Sequence, residues 1–414
     1  MHVIGLIAEY NPFHKGHLYQ INKIKEKYPN SLLVVVTSSS FTQRGNISLL
    51  NKWDKTKIAL DNSIDLVIEL PFVYATQSSD IFAKGAIEIL NNLKIDTLIF
   101  GTERDNIKDL ELLADIQINN KEYQKKVKEY LVKGSNYATA TNKALEDITK
   151  IKVDTPNDLL ALSYIKQIKE HKYNIKYLNI KRITSYHGEE IVDNITSASN
   201  IRKLYLNNKN INNLIPFNKN SLYKVSMDNY LNILKYKILS EDSKINKYQT
   251  VDEGIESRII KSINISNTYE ELIKNIKTKR YTYNKISRML LHILTSFTKE
   301  EASNITIDYI RVLGFTSKGK EYLNKIKKDI KVPLITGYKK NISKILDIEL
   351  RITKIYSLVS PLLLGRVVIL LISSYLFLHN SLIKVVFPLA IFPHIIINLF
   401  FKVHSFKYLA LYLP

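Results

Sequence analysis

The chain has 414 residues, no cysteine and a formal net charge of +21. Without cysteine there is no disulfide framework, no thiolate metal site and no cysteine nucleophile, which fits a reducing cytoplasm. The length allows two or three domains, and the charge points to a polyanionic partner, RNA or an anionic membrane.

The chain opens without the basic leader of a signal peptide. Residues 3–8 form an apolar run that reads as a buried strand, and Asn11-Pro12 breaks it. From His17 the spacing turns helical to residue 27, with Leu18, Ile21 and Ile24 on one face. Strands follow at 32–37, 65–70 and 97–100, separated by helices at 53–62 and 79–90. Such alternation predicts an α/β, Rossmann-like fold with a parallel sheet covered on both faces. Ligands bind beyond the carboxyl ends of such strands. Glu9 to His17, Ser38 to Gly45, and Gly101-Thr102-Glu103 lie there.

Residues 105–150 read as polar helix. Pro156-Asn157-Asp158 opens another helix, and 174–182 alternates like a strand. Ser197-Ala-Ser-Asn-Ile-Arg202 starts a further helix, with Ser197 or Ser199 as its cap. An arginine in the first turn opposes the helix dipole, so Arg202 is expected to serve a phosphate. Residues 209–358 read as mostly helical and rich in lysine and tyrosine. Thr278 to Arg288 sets cations beside aromatics, a mix that suits RNA and equally suits a basic helix with inward tyrosines. Tyr309 to Phe315 reads as a turn, followed by a solvated basic face over 318–331. Ten of the 60 basic residues are arginine. Part of the lysine excess fits codon drift in an AT-rich genome, so the arginines carry more information.

The tail from 359 holds two apolar runs, 361–378 and 385–401, each marginal for a membrane span of about 20 residues. A non-native reading frame ranks first for it, a membrane hairpin second. Core packing ranks last, because so long a run would leave an exposed apolar patch.

Chemistry concentrates in Ala8-Glu-Tyr-Asn-Pro-Phe-His-Lys-Gly-His17. A strand, a turn and a helix N-terminus make a phosphate site, because free N–H groups and the helix dipole face the anion. His14 and His17, three apart across Gly16, can both donate to one phosphate as charge develops. Four residues alone fit a paired metal site or surface histidines equally well. The strand before and the helix after favour phosphate.

This His-x-Gly-His motif resembles the signature of nucleotidyltransferases that transfer an adenylyl group from ATP. Further motifs narrow the resemblance. They are Ser38-Ser-Ser-Phe-Thr-Gln-Arg-Gly45 with Lys52-Trp53, Asp65-Leu-Val-Ile-Glu-Leu-Pro71, Phe100-Gly-Thr-Glu103, Pro156-Asn157-Asp158, and Lys181-Arg182-Ile183 with Tyr186-His187. Ser197 to Arg202, Thr282 to Arg288 and Tyr309 to Phe315 continue the series. Over residues 1 to about 358 the chain resembles the bacterial tRNA(Met) cytidine acetate ligases. One departure is Ser38-Ser39-Ser40-Phe41, where the family usually has Ser-Gly-Asn-Phe.

The resemblance implies a nucleotidyltransferase-like catalytic domain (1–208), a basic, mostly helical tRNA-binding domain (209–358) and an atypical tail (359–414). It implies ATP, with Mg2+ as the ATP complex, and acetate and elongator tRNA(Met) as partners. Acetyl-adenylate would form first, and acetyl would then pass to N4 of the wobble cytidine. His14, His17 and Arg202 would be catalytic. The ATP contacts would be Ile7, Ala8, Glu9, Tyr10, Asn11, Pro12, Phe13, His14, Lys15, Gly16, His17, Leu18, Tyr19, Gln20, Gly101, Asn157, Arg182 and Ile183. Lys279, Arg280 and Arg288 are the expected RNA contacts; no resident metal site is expected. Two other readings stay open: a small-molecule adenylyltransferase, and a non-catalytic RNA-binding or membrane-tethered module.

Overall fold

The computed structural model describes residues 1–183, 189–252, 254–303, 305–338, 342–359 and 384–385. Tyr186, His187 and nearly all of the apolar tail lie outside these residues. Among the described residues no helix is long and apolar enough to cross a membrane.

The first half alternates strand and helix. β1 (Val3–Ile7), α1 (Lys15–Lys27), β2 (Leu32–Ser38), α2 (Lys52–Asp61) and β3 (Leu66–Leu70) come first. α3 (Phe72–Ala75), α4 (Ser79–Asn92) and β4 (Thr97–Thr102) follow. Next are α5 (Ile107–Asn119), α6 (Lys121–Val132), α7 (Tyr137–Thr149), α8 (Pro156–Glu170), β5 (Lys176–Lys181) and α9 (Ala198–Leu206). The second half is helical: α10 (Leu231–Glu241), α11 (Glu256–Ile265), α12 (Tyr269–Ile276), α13 (Tyr283–Leu294) and α14 (Lys299–Ala302). It then returns to the sheet with β6 (Ile310–Phe315), α15 (Ser317–Ile326), β7 (Leu334–Ile335), α16 (Lys344–Ser357) and β8 (Lys384–Val385).

The strand order is β5-β4-β1-β2-β3-β6-β7, with β8 on β6. The first five are parallel. All seven residues of β2 are buried, as expected where helices cover both faces. From β1 the chain winds through β2 and β3 to one side, then jumps back to β4 and β5 on the other. The crevice between the carboxyl ends of β1 and β4 is therefore the switch point where such sheets hold ligands.

Tyr309 to Phe315, read above as a turn, is mostly strand. β6 pairs antiparallel with β3, and Ile310, Val312 and Leu313 are buried. Arg311 breaks the apolar pattern, and its charge is met only in three dimensions. Its Nη1 donates to Glu69 Oε2 at 3.3 Å. Glu69 Oε1 accepts from Lys52 Nζ at 2.7 Å. Lys52 also lies 3.5 Å from Glu349 Oε1 on α16. Glu349 accepts from the Ser39 hydroxyl (2.5 Å) and from Phe72 N (2.9 Å). Ser39 thus supplies a hydroxyl to this buried network. Burial and neighbouring Glu69 push the Glu349 carboxyl up. For Glu69 the upward effect of burial is outweighed by Lys52 and Arg311.

Candidate active site

Both histidines sit at the start of α1. His14 is the N-cap, and its Nδ1 accepts from Gly16 N at 3.0 Å. His17 stands three residues on, and its Nδ1 accepts from His14 N at 3.2 Å. This is a capping box built from two imidazoles, each satisfying an orphan N–H of the helix end. With both Nδ1 atoms accepting, each proton is assigned to Nε2, on the ring edge away from the cap. The rings are tilted against each other by 31°, with 3.8 Å between centroids. Gly16 is required because His14 folds back over it: a Cβ there would come within 2.8 Å of His14 Cε1.

Both imidazoles are held neutral. Burial, then His17, Arg182 and Arg202, drive His14 well below its ordinary value. Burial and Arg182 lower His17 to about 3. The expected free N–H groups are largely used: Lys15 N donates to Leu214 O (3.0 Å) and His17 N to His14 O (2.9 Å). Outward donation at this helix end therefore falls to the two Nε2–H groups.

Arg202 stands at the fifth residue of α9, past the first turn expected for it, and Ser197 is the cap, accepting from Asn200 N. Its Nη1 donates to Asn11 O at 2.7 Å, which seats α9 against the turn before α1. Tyr10 packs edge-on to His17 at 4.9 Å and tilted on Phe13 at 4.7 Å. Glu9, at the end of β1, accepts from Gln43 N at 2.6 Å. Burial raises its carboxyl against the opposing pull of that N–H, Lys55, Arg44 and Arg202. Lys55 donates to Ser38 O and Ser39 O, both at 2.9 Å, and burial lowers it to about 7. Together these contacts tie the loop after β2 to the loop after β1.

The other wall of the crevice is the end of β4. Asn157 Nδ2 donates to Glu103 Oε1 at 2.5 Å, and Arg182 Nε lies 3.8 Å from the same oxygen. Arg182 N also donates to Thr102 O, which sets the end of β5 beside Gly101 and Thr102. Because β1 and β4 are parallel neighbours in the sheet, the two walls face one space. The structure thus brings the 7–20 stretch, Gly101, Asn157, Arg182 and Arg202 together around the switch point, with Ile183 at its edge and 42% exposed.

Lys279 and Arg280 lie apart from this cluster, on an exposed loop before α13. Asn136 at the α6–α7 turn donates to Lys279 O. Arg288 is half-buried and donates to Gln43 O at 3.3 Å, beside Gly45. That glycine has φ +79°, and a Cβ on it would meet Arg288 N and Ser287. Two features stand outside the expected site residues. One is Leu214, whose carbonyl caps α1 from 199 residues away in sequence. The other is Glu103, which the sequence placed at the ligand-binding end of a strand, in the Phe100-Gly-Thr-Glu motif, without giving it a site role. Among the described residues no group of three or more histidine or acidic side chains is placed to hold a metal.

The family model described as HIGH Nucleotidyl Transferase matches residues 1–365. The tRNA(Met) cytidine acetate ligase of Anoxybacillus flavithermus is 35% identical, over 87% of this chain and 96% of the relative. That of Bacillus subtilis is 36% identical, over 86% and 92%. A crystal structure of apo Thermotoga maritima TmcAL superposes with a TM-score of 0.80 at 28% identity, over 87% of this chain and 95% of that one. A second, bound with alpha-thio ATP, has a TM-score of 0.77 at the same identity and coverage. With a family model matched over residues 1–365 and relatives at 35–36% identity over most of both chains, this chain belongs to the tRNA(Met) cytidine acetate ligase family of HIGH nucleotidyl transferases.

Proposed function

We propose that this chain joins acetate to ATP, releasing pyrophosphate and forming acetyl-adenylate, and then passes acetyl to N4 of the wobble cytidine of elongator tRNA(Met). The product is N4-acetylcytidine. The observation that carries the reading is the pair of neutral Nε2–H donors at the switch point, flanked by Arg182 and Arg202. Attack by an acetate oxygen on the α-phosphate puts negative charge on its equatorial oxygens and on the leaving pyrophosphate. Donors fixed in advance stabilise that charge, each by roughly 3 kcal/mol. Neutral imidazoles do this without holding the product by a net charge. His14 and His17 take that role, and Arg202 meets the distal phosphates.

The residues 7–20, Gly101, Asn157, Arg182 and Ile183 contact ATP. Mg2+ would enter as the ATP complex and would supply neutralisation of phosphate charge. In the second half-reaction the N4 amine attacks the acetyl carbonyl. The bond to the adenylate oxygen breaks, AMP leaves and N4 loses a proton. A first domain (1–208) handles the nucleotide, and the basic helical part (209–358) meets the tRNA through Lys279, Arg280 and Arg288. The experiment is acetate-dependent pyrophosphate release from ATP, with and without elongator tRNA(Met). Release that needs acetate, with acetyl appearing on tRNA cytidine, is expected. Release indifferent to acetate would overturn the reading.

A further inference from the structure

The Glu103 carboxylate is half satisfied. Oε1 accepts from Asn157 Nδ2, whereas Oε2 is buried and has no hydrogen-bond partner among the described residues. A buried acceptor without a donor is costly, and in a native fold it calls for an explanation. The Thr155 hydroxyl, two residues before Asn157, is also buried and unpartnered. Both lie at the wall of the crevice formed by the end of β4 and the start of α8.

The turn carrying Glu103 is built to be rigid. Asp158 Oδ1 accepts from Glu103 N at 3.0 Å, and Asp158 Oδ2 from Arg104 Nε at 3.1 Å. The Asn179 amide donates to Thr102 Oγ1, Arg104 O and Asp105 O. Arg104 Nη2 donates onward to Lys152 O. These bonds fix the backbone at Glu103, and the Asn157 hydrogen bond holds its side chain. Its free oxygen is kept where it is for something that arrives.

We propose that Glu103 is the ribose-reading residue of the nucleotide site, accepting a hydrogen bond from a ribose hydroxyl of ATP on the unpaired oxygen. This rests on the proposed ATP-dependent function. Three observations support it. Glu103 touches Asn157 and lies 3.8 Å from Arg182, both among the proposed ATP contacts. Arg182 N donates to Thr102 O, next to Glu103 in sequence, so Glu103 and Arg182 share the wall at the end of β4, across the switch point from the histidines on the β1 side. And the chemistry selects hydroxyl over base. An ionised carboxylate only accepts. The adenine edge places ring-nitrogen lone pairs beside its amino group, which would face the carboxylate unfavourably. A ribose hydroxyl offers a donor to Glu103 and can take a hydrogen bond from Thr155 in return.

The test compares ATP with 2′-deoxyATP and 3′-deoxyATP, by equilibrium binding without acetate and by acetate-dependent pyrophosphate release. The unmodified protein is expected to prefer ATP over one deoxy analogue by about 10- to 100-fold, the range of one hydrogen bond to a charged group. In E103A the ratio is expected to fall to within about 3-fold of unity, and in E103Q to an intermediate value. Equal binding of all three nucleotides by the unmodified protein overturns the proposal without any substitution. So does an E103A variant that keeps the wild-type ratio. Discrimination in binding with no acetate-dependent pyrophosphate release would support the ribose contact while overturning the proposed reaction.

Discussion

His14 has two separable jobs, and replacing it by asparagine or alanine separates them. As N-cap it accepts from Gly16 N; as a proposed catalytic donor it points Nε2–H away from the helix. Alanine removes both. Loss of the cap costs about 1 kcal/mol, and loss of a ring only 4% exposed and packed against His17 adds roughly 2 kcal/mol. Asparagine is among the best N-cap residues, so H14N is expected to recover about 1 kcal/mol of that loss. Its amide is too short to reach where Nε2 stands. Both variants should therefore lose about 10²- to 10³-fold in kcat, the effect of removing one preorganised donor. Urea denaturation measures the first job, and acetate-dependent ATP–pyrophosphate exchange the second. If exchange in H14N returned to the wild-type rate along with stability, His14 would be a cap and nothing more.

Acid should weaken the fold before it changes the charge of the site. Burial lowers His14, His17 and His292, the last two to about 3. Each binds its proton more readily unfolded, so its contribution is whole above pH 6.5 and shrinks as pH falls below that. At pH 5 His17 and His292 each cost about 2 kcal/mol and His14 acts in the same direction, partly offset by Glu9 and Glu349, whose raised values act in the opposite sense. Denaturation midpoints flat from pH 8 to 5 would contradict this. Removing Glu349 from the buried network should cost about 3–5 kcal/mol in E349A, because Lys52 is left facing Glu69 alone and Phe72 N loses its acceptor. E349Q should cost less than half as much, and a urea midpoint unchanged in E349A would refute the network's role. Binding of tRNA should weaken steeply with salt, log Kd rising linearly with log salt concentration; affinity indifferent to salt would count against a basic RNA surface.

Local order in the sequence settled the first half of the chain. Apolar runs of five to seven residues and helical spacing between them act over a few residues, so β1 to β5 and the helix after His14 could be read directly. The His-x-Gly-His chemistry was equally local, since the cap, the glycine and both imidazoles lie within one turn of helix. Tertiary structure decided everything that depends on a distant partner. β6 reads as a turn from its own residues, and becomes a strand because Glu69, 242 residues away, neutralises Arg311 at the open edge of β3. The backbone donor expected for phosphate at Lys15 is taken by Leu214, leaving the imidazole edges as the outward donors. Glu103 was visible as a residue, but its unpaired oxygen was not. Whether a buried carboxylate is satisfied depends on which side chains the fold brings within 3 Å, and no spacing along the chain records that.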